Sequence, residues 1–235
     1  YLPALSHSGD QLAFISKRTG ESQLWIKNYS SGELVGIELP DQGRRFHDLV
    51  WSADDQHLLA STNTGLLVYS LPDGEFTHRI SLPLPAYATS WVDATTVAFS
   101  HYEDGRWRAY HYALASGATV ALDERWAATV TSTDQQLFID QSLTVHRDGE
   151  TLNELASCAP LIWRYQLRLR IDRDRLVCHA GDAANDLLVF GADMTATRLP
   201  DVVSRYEFFS VRDDALATTL VASAYSDIMR TQRAH

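Results

Sequence analysis

The sequence predicts an all-β protein, a six-bladed β-propeller with four antiparallel strands in each blade. The first observation behind this prediction is a repeat: an apolar residue that follows a short polar turn and opens a strand-like run recurs every 39 to 46 residues, at Leu12, Leu58, Val97, Leu137, Leu176 and Leu216. A period of about 40 residues built from strands is typical of propellers, with one blade per repeat. The second observation is that no long segment has the 3.6-residue period of a helix.

Each repeat contains a polar turn between two strand-forming runs. Residues 6–10 form this turn in the first repeat, and residues 52–55 form it in the second. Ser and Asp side chains bond to nearby backbone groups and Gly tolerates positive φ, so such a run reverses the chain. The flanking runs are rich in Val, Leu, Ile, Phe, Tyr and Trp, which favour strands. We therefore expect a single domain, with blades at about 1-40, 41-82, 83-122, 123-160, 161-200 and 201-235.

The last repeat has room for only three strands, at about 206–211, 216–222 and 227–233. Propellers usually close their ring by letting one terminus complete the blade that the other begins, which leaves no open edge. We expect the missing strand to come from residues that precede Tyr1, so that this chain is a domain of a longer protein. The alternative is a three-stranded last blade that is shielded by other means.

Composition argues against nucleic acid as a direct partner of this domain. The formal net charge is −10, and Lys17 and Lys27 are the only lysines. Duplex binding requires a basic face that neutralises phosphates, and this chain is acidic. No segment approaches 18 consecutive apolar residues, so none is expected to span a bilayer.

The two cysteines, Cys158 and Cys178, leave two interpretations open. An oxidising compartment would permit a disulfide between them. The interpretation that we prefer from the sequence is two separate buried residues, because free cysteine behaves as a small apolar side chain.

A second pattern emerges when the six repeats are aligned on their apolar anchors. An aromatic residue lies 10 to 12 positions before every anchor, at Tyr1, Phe46, Tyr87, Trp126, Tyr165 and Tyr206. An arginine directly precedes four of them, at Arg45, Arg125, Arg164 and Arg205. This position enters the innermost strand, which lines the central channel. The alignment therefore predicts a ring of these side chains around one mouth of the channel.

The ring has a structural interpretation and a functional one. The aromatic side chains could wedge between blades, and the arginines could pair with carboxylates of the protein itself, at Asp48, Asp123, Glu124 and Glu207. The arginines could instead hold an anionic ligand or an acidic partner through charge-assisted hydrogen bonds. The candidate binding residues at this mouth are Arg45, Phe46, His47, Tyr87, Arg125, Trp126, Arg164, Tyr165, Arg205 and Tyr206.

The sequence contains no recognisable catalytic motif. There is no Gly-x-Ser-x-Gly, no His-Glu-x-x-His and no glycine-rich phosphate loop. Asp172 and Asp174 are spaced like the start of a calcium loop, but arginines separate and follow them, and they match the polar turn of the other repeats. We therefore predict a protein that is not an enzyme and that has no catalytic residues, metal ligands or cofactor.

The repeated pattern resembles the TolB-type WD-like propeller repeat. The residues that carry the resemblance are clearest at 2–14 and 50–55, where a Ser and an Asp or Gly precede a Leu-Ala-Phe-like strand. Within that superfamily, a single six-bladed unit with degenerate late repeats is most similar to the C-terminal periplasmic domains of ToxR/CadC-type winged-helix transmembrane transcriptional regulators. That resemblance implies a sensor at the periplasmic face of the inner membrane, anchored by a helix outside this chain.

Three classes of function follow from these observations. The leading hypothesis is a sensor domain that binds a small anionic ligand or an envelope protein, with DNA binding carried by another part of the regulator. The second is a soluble periplasmic adaptor, similar to TolB, that docks an envelope protein. The third is the propeller domain of a prolyl-oligopeptidase-type hydrolase. The residues that precede Tyr1 in the reading frame would separate the three.

Overall fold

The strands of this chain form antiparallel sheets around a common axis, the arrangement of a β-propeller. The computed structural model describes residues 2–37, 45–71, 75–131, 135–163, 166–172, 175–183, 185–191, 193–202, 209–212, 215–222 and 225–232. Within these residues, five sheets have four strands, one has three and one has two. The all-β propeller prediction is confirmed. The number of complete four-stranded blades is five, however, and not six.

The first three blades follow the chain in simple order. Blade 1 contains β1 (Ala4–Leu5), β2 (Gln11–Ser16), β3 (Gln23–Asn28) and β4 (Leu34–Ile37). Blade 2 contains β5 (Phe46–Trp51), β6 (His57–Thr62), β7 (Gly65–Ser70) and β8 (Glu75–Ser81). Blade 3 contains β9 (Tyr87–Trp91), β10 (Thr96–Glu103), β11 (Arg106–Ala113) and β12 (Thr119–Ala121).

The later sheets depart from this regularity. Blade 4 contains β13 (Trp126–Thr131), β14 (Gln136–Asp140), β15 (Val145–Arg147) and β16 (Glu150–Thr151). A 3-10 helix (Asn153–Ser157) and a small hairpin of β17 (Ile162–Trp163) and β18 (Gln166–Leu167) follow. Blade 5 contains β19 (Leu169–Asp172), β20 (Arg175–His179), β21 (Leu187–Phe190) and β22 (Ala196–Leu199). The final sheet contains β23 (Phe209–Arg212), β24 (Ala215–Ala222) and β25 (Tyr225–Gln232).

The innermost strands of the sheets surround the axis in chain order. Strand β1 contacts β5, β5 contacts β9, β9 contacts β13, and β13 contacts β19. Strand β23 lies between β19 and β1, and the backbone N–H of Leu5 donates a buried hydrogen bond of 2.9 Å to Oγ of Ser210. The first and last sheets are therefore in direct contact, and the inner strands close a ring.

The core lies between neighbouring blades and is built from the strand-forming residues of the repeat. Leu58, Val97, Leu137 and Leu176 are almost completely buried, as expected for the anchors of the repeat. Two inner-strand tryptophans also fasten one blade to the previous one: the indole N–H of Trp51 donates to the carbonyl of Ala4 at 2.7 Å, and that of Trp91 donates to Val50 at 3.2 Å. Large apolar side chains at a pleated interface account for the packing of the first three blades.

Cys158 and Cys178 form a disulfide, with their Cα atoms 5.8 Å apart. The interpretation of two separate buried cysteines is therefore wrong. Cys158 lies in the connection between blades 4 and 5, where it forms an isolated bridge with Ala180, just after β20. The bridge arises because the connection runs beside the strand that carries Cys178, a proximity that spacing in the sequence does not encode. No helix among the described residues has the length and apolar character that crossing a bilayer requires.

Candidate ligand-binding face

The two ends of the channel differ in which residues lie there: the last residues of the inner strands at one end, and the first residues at the other. Residues that follow β1, β5 and β9 (His7, Ser52, Asp54 and Asp93) meet around one cleft of about 220 Å³. We call this end the aspartate face. The first residues of β5, β9 and β13 must then lie at the other end. Since these are Phe46, Tyr87 and Trp126, preceded in two cases by arginine, we call this end the arginine face.

A chain of ring contacts extends across the arginine face from the channel towards the rim. His47 contacts Tyr87 with ring centroids 4.9 Å apart, and Tyr87 contacts Trp107 at 5.8 Å. Trp107 in turn contacts Tyr102 at 5.2 Å. All three contacts are close to edge-to-face, the geometry that aromatic quadrupoles favour. Tyr102 is 50% exposed, so the outer end of this aromatic strip is open to a partner.

Arginines lie along the same face. Arg45 is exposed, and its backbone is fixed because its N–H donates to Oδ1 of Asn63 while its carbonyl accepts from the N–H of Asn63. The guanidinium group of Arg125 lies 4.3 Å from the ring centroid of Trp126 in a cation–π contact. Nε of Arg125 is 3.7 Å from Oδ1 of Asp123, and the Arg125 side chain is 68% exposed.

Two of the carboxylates that the structural interpretation assigned to this face do contact arginine. Asp123 lies beside Arg125, and Glu124 forms an ion pair of 2.9 Å with Arg106. Both pairs are exposed, so each contributes little to stability. They reduce the positive charge of the face without removing it, because no ion pair joins the Arg45 guanidinium to a carboxylate in the described part of the chain.

The remaining predicted residues divide between the core and undescribed segments. Phe46 is 6% exposed and packs in the core between blades 1 and 2, in agreement with the wedge interpretation for this residue. Arg164, Tyr165, Arg205 and Tyr206 lie outside the described residues, as does Tyr1. Among the predicted site residues, the structure thus brings His47 into contact with Tyr87, and Arg125 into contact with Trp126.

The β17–β18 hairpin covers part of the channel mouth on the arginine face. Strand β18 contacts β9 of blade 3, although it precedes the inner strand of blade 5. Leu167 is 2% exposed and shares a buried cluster with Ala88 and Ala127, which lie near the starts of β9 and β13. The mouth is therefore not an open ring, and the accessible surface lies outward, along the aromatic strip.

An ion pair crosses the channel beneath this cover. Asp48 of β5 is 4% exposed, and Oδ1 of Asp48 lies 3.7 Å from Nη2 of Arg170 on β19. The carboxylate also accepts hydrogen bonds from the backbone N–H groups of Leu49 and Thr89, at 3.0 and 3.1 Å. The remaining channel cavity, lined by residues of all six inner strands, is only about 50 Å³. The Asp48 carboxylate thus contacts groups inside the channel and does not pair with the arginines of the arginine face.

The surroundings of His47 favour its neutral form. Burial lowers the pKa of His47 below the ordinary histidine value, the neighbouring Asp48 carboxylate opposes this effect, and the Arg45 charge adds to it. A neutral imidazole beside Tyr87 supplies a polar aromatic surface without a second positive charge next to Arg45.

Sequence alignment of the repeats missed Tyr102, Arg106 and Trp107. They lie on β10 and β11, whereas the alignment compared only the residues that enter the inner strands. Gln141 was also missed; its Nε2 donates to the carbonyls of Trp107 and Glu124, at 2.8 and 3.2 Å, and so joins blade 3 to the start of blade 4. A search for aromatic and basic residues beside the Asp104-Gly105 turn would have found the first three.

The aspartate face has the opposite character. Asp55 accepts hydrogen bonds from the backbone N–H groups of His7 and Ser8, at 2.6 and 2.8 Å. Burial alone would raise the pKa of Asp55, but the His7 side chain and the backbone hydrogen bonds from Ser8 and His7 outweigh it, and the pKa lies below the usual aspartate value. Asp54 and Asp93 cap their own turns in the same way. Asp54 and Asp93 therefore serve the turns that carry them, whereas Asp55 joins its turn to the corresponding turn of blade 1.

Comparisons with known proteins identify the fold and nothing finer. No protein-family model matches the chain, and no curated protein matches it either. Among solved structures, the β-propeller domain of the Trilobed protease from Pyrococcus furiosus is similar over 99% of this chain and 83% of that one, with 13% identity and a TM-score of 0.62. Oligogalacturonate lyase from Vibrio parahaemolyticus is similar over 99% and 89%, with 10% identity and a TM-score of 0.64.

A third similar structure is a longer protein. The chain matches an acylaminoacyl peptidase from Pyrococcus horikoshii with 13% identity and a TM-score of 0.64. It is covered over 99% of its own length but spans only 44% of that peptidase. At these identities the similarity establishes the β-propeller fold, which proteins of many functions share.

Proposed function

We propose that this chain is a non-enzymatic binding propeller whose arginine face holds a small anionic ligand or an acidic surface of a partner protein. The observation that carries the proposal is the aromatic strip from His47 to Tyr102, flanked by Arg45, Arg106 and Arg125 on a chain of net charge −10. Tyr, Trp and Arg are the residues most enriched at the energetic centres of protein interfaces. Guanidinium groups also favour carboxylates, which they bind in a bidentate manner.

The experiment is a fluorescence-anisotropy titration of the protein with a labelled deca-glutamate peptide at low salt. The double variant Arg45→Ala/Arg125→Ala is expected to bind at least tenfold more weakly, about 1.4 kcal/mol, because two charge-assisted contacts are lost. Arg147→Ala is the matched control, since Arg147 lies at the β15–β16 turn, on the aspartate face. Equal affinities for all three proteins would overturn the proposal.

The proposal extends to the place of the domain in a larger protein. We propose a sensory domain of a membrane-bound transcriptional regulator, of the ToxR/CadC type, at the periplasmic face of the inner membrane. The Cys158–Cys178 disulfide supports an oxidising compartment. A soluble TolB-like periplasmic adaptor is compatible with the same disulfide. A reading frame that encodes a winged helix and an apolar helix before Tyr1 would favour the regulator, whereas a cleavable signal peptide would favour the adaptor.

A propeller domain of a hydrolase is the second candidate function. The observation that favours it is the similarity to peptidase propellers, one of which belongs to a chain more than twice as long. An adjacent α/β domain with a nucleophile would support this candidate.

The proposal also assigns the final sheet to the ring as a sixth, three-stranded blade. Its inner strand β23 contacts β19 on one side and β1 on the other, the position that a sixth blade occupies. Trp126 and Tyr87 on the arginine face would then belong to blades four and three of six.

A further inference from the structure

We infer that a cavity beneath the connection between blades 4 and 5 binds a small, uncharged, apolar molecule, and that the Cys158–Cys178 disulfide holds one wall of the cavity in place. The cavity has a volume of about 430 Å³, within the range of small-molecule sites. One wall is the turn from β14 into β15, and the other is the connection from Leu152 to Leu161. This site is independent of the anionic site proposed above.

The floor of the cavity is aliphatic. Val145, Leu152, Leu155 and Leu161 line it and are each at least nine-tenths buried. Among the lining residues whose side chains the structure describes, none is charged, and Ser142 and Thr144 supply the hydroxyl groups. A charged ligand would lose its hydration here without compensation, so the lining selects a neutral one.

The backbone of the lining offers few donors to a polar ligand. The N–H of Ser142 and that of Thr144 both donate to Oδ1 of Asp140, at 2.8 and 3.0 Å. The N–H groups of Leu152, Cys158 and Ala159 donate to other backbone carbonyls. Since these donors are satisfied within the protein, we expect burial of apolar ligand surface, which stabilises by about 25 cal/mol per Å², to supply most of the affinity, with the hydroxyl groups of Ser142 and Thr144 as the polar contacts.

Leu143, at the rim of the cavity, has an unusual backbone conformation. Its φ is 64°, in the left-handed region that branched, bulky residues rarely adopt. Glycine or asparagine would meet this turn with less strain. The leucine side chain instead packs against the same buried cluster that forms the cavity floor. A strained leucine at the rim extends the apolar lining at a cost in backbone energy.

The connection is longer than those between the preceding blades. Residues 82–86 join blade 2 to blade 3, and residues 122–125 join blade 3 to blade 4, whereas residues 152–168 join blade 4 to blade 5. Insertions in repeat proteins map to loops on one face, which is often the face that binds. The cavity lies between this long connection and the β14–β15 turn.

The disulfide holds the connection at Cys158 against β20 of blade 5. Besides the Cys158–Cys178 bond, the N–H of Gly181 donates to the carbonyl of Ser157 at 2.8 Å, and the N–H of Ala159 donates to His179 at 2.7 Å. These bonds attach the segment after the 3-10 helix to the end of β20. The covalent bond adds to these two hydrogen bonds and to the burial of Leu155 and Leu161, and without it we expect this wall of the cavity to lose its shape.

The test is a fluorescence titration of the intact protein with N-phenyl-1-naphthylamine, a neutral apolar probe. We expect saturable binding of one probe per chain. Ala156→Trp, at the exposed rim of the cavity, is expected to weaken binding at least tenfold by filling it. Ala118→Trp, at the exposed β11–β12 turn on the aspartate face, is the matched control and should bind as the wild type does. Absence of saturable binding, or equal binding by both variants, would overturn the site.

Two further measurements separate the parts of the inference. Dithiothreitol should weaken probe binding by the wild type at least fivefold while the far-ultraviolet dichroism is retained. Unchanged affinity after reduction would overturn the role of the disulfide. Deca-glutamate binding should be unaffected by Ala156→Trp, so failure of the apolar site and failure of the anionic site give different results.

Discussion

Blades 2 and 3 are fastened to their neighbours differently from blades 4 and 5. The position that Trp51 and Trp91 occupy on the inner strands of blades 2 and 3 is occupied by Val130 in blade 4 and by Ile171 in blade 5. The tryptophans pack and also donate a hydrogen bond to the preceding blade, whereas the aliphatic residues only pack. The later blades have a disulfide and a longer connection instead. The comparison shows two ways of joining blades in one fold. Where the sequence repeat is clear, each blade is joined to the previous one by a tryptophan hydrogen bond. Where the repeat is degenerate, a disulfide joins the connection to blade 5.

The largest expected difference between the two regions comes from truncating the inner-strand residue. Trp51→Ala should lower the free energy of unfolding by about 4 kcal/mol, because it removes a buried indole and its hydrogen bond. Val130→Ala should cost about 2 kcal/mol, since only apolar contacts are lost. Chemical denaturation of both variants measures the difference. Equal losses would mean that the tryptophan bond is not what distinguishes the blades.

Removal of the disulfide tests the other half of the comparison. Cys158→Ala/Cys178→Ala should lower the free energy of unfolding by about 3 kcal/mol, because the cysteines are 20 residues apart and the bond restricts the unfolded chain. Dithiothreitol should destabilise the wild type by a similar amount and leave the double variant unaffected. A reductant effect on the double variant would contradict the assignment.

The channel ion pair joins the two regions, since Asp48 belongs to blade 2 and Arg170 to blade 5. Arg170→Met should cost about 2 kcal/mol, because it leaves the Asp48 carboxylate buried without its counter-charge. Two backbone N–H groups still hold that carboxylate, which keeps the loss at the low end for buried pairs. Adding Asp48→Asn to Arg170→Met should restore part of the stability in denaturant titrations. A further additive loss would show that the two side chains do not interact.

The smallest expected effect concerns the contact of blade 1 with blade 2 on the aspartate face. Because the pKa of Asp55 is lowered in the folded protein, its contribution is present above the unfolded value of 3.8 and is lost as the pH falls through the folded value. Asp55→Asn should therefore cost about 1 kcal/mol at pH 7 and almost nothing near pH 2.

The matched control for this variant is Asp104→Asn. Asp55 and Asp104 have φ values of 56° and 50°, so both substitutions place asparagine in the same backbone conformation. Asp104 is an exposed turn residue, and its replacement should change the free energy of unfolding by no more than about 0.5 kcal/mol. If both variants lose the same stability at every pH, the contact of Asp55 with His7 and Ser8 has no pH-linked role.

Much of the first three blades could be predicted from the sequence. The apolar anchors of these blades are buried, and the predicted aromatic positions Phe46, Tyr87 and, in blade 4, Trp126 begin the inner strands β5, β9 and β13. This succeeded because alternating apolar residues between polar turns determine local strand structure and its buried face.

Less could be predicted for the connection between blades 4 and 5. Leu176 lies 39 residues after Leu137, as the period requires, but a 3-10 helix and the β17–β18 hairpin occupy part of that interval. An unchanged spacing therefore did not reveal the changed connection, and the position predicted for Tyr165, which lies outside the described residues, stays a prediction. The complete aromatic strip could not be predicted either. The contact of Tyr87 with Trp107 joins two strands, β9 and β11, that are not adjacent in the sequence repeat.

The register shifts at the head of the inner strands have a consequence for how such a protein can change. Between Phe46 and Asp48, and between Trp126 and Ala128, one extra residue interrupts the pairing, and β9 has a similar irregularity opposite Phe99. Each extra residue shifts the in-and-out alternation of side chains, so that the alternation before it along the strand is independent of the alternation after it. Substitutions at the rim can therefore change the surface of the arginine face while the hub residues keep their orientation, so the outer surface and the assembly of the ring can change independently.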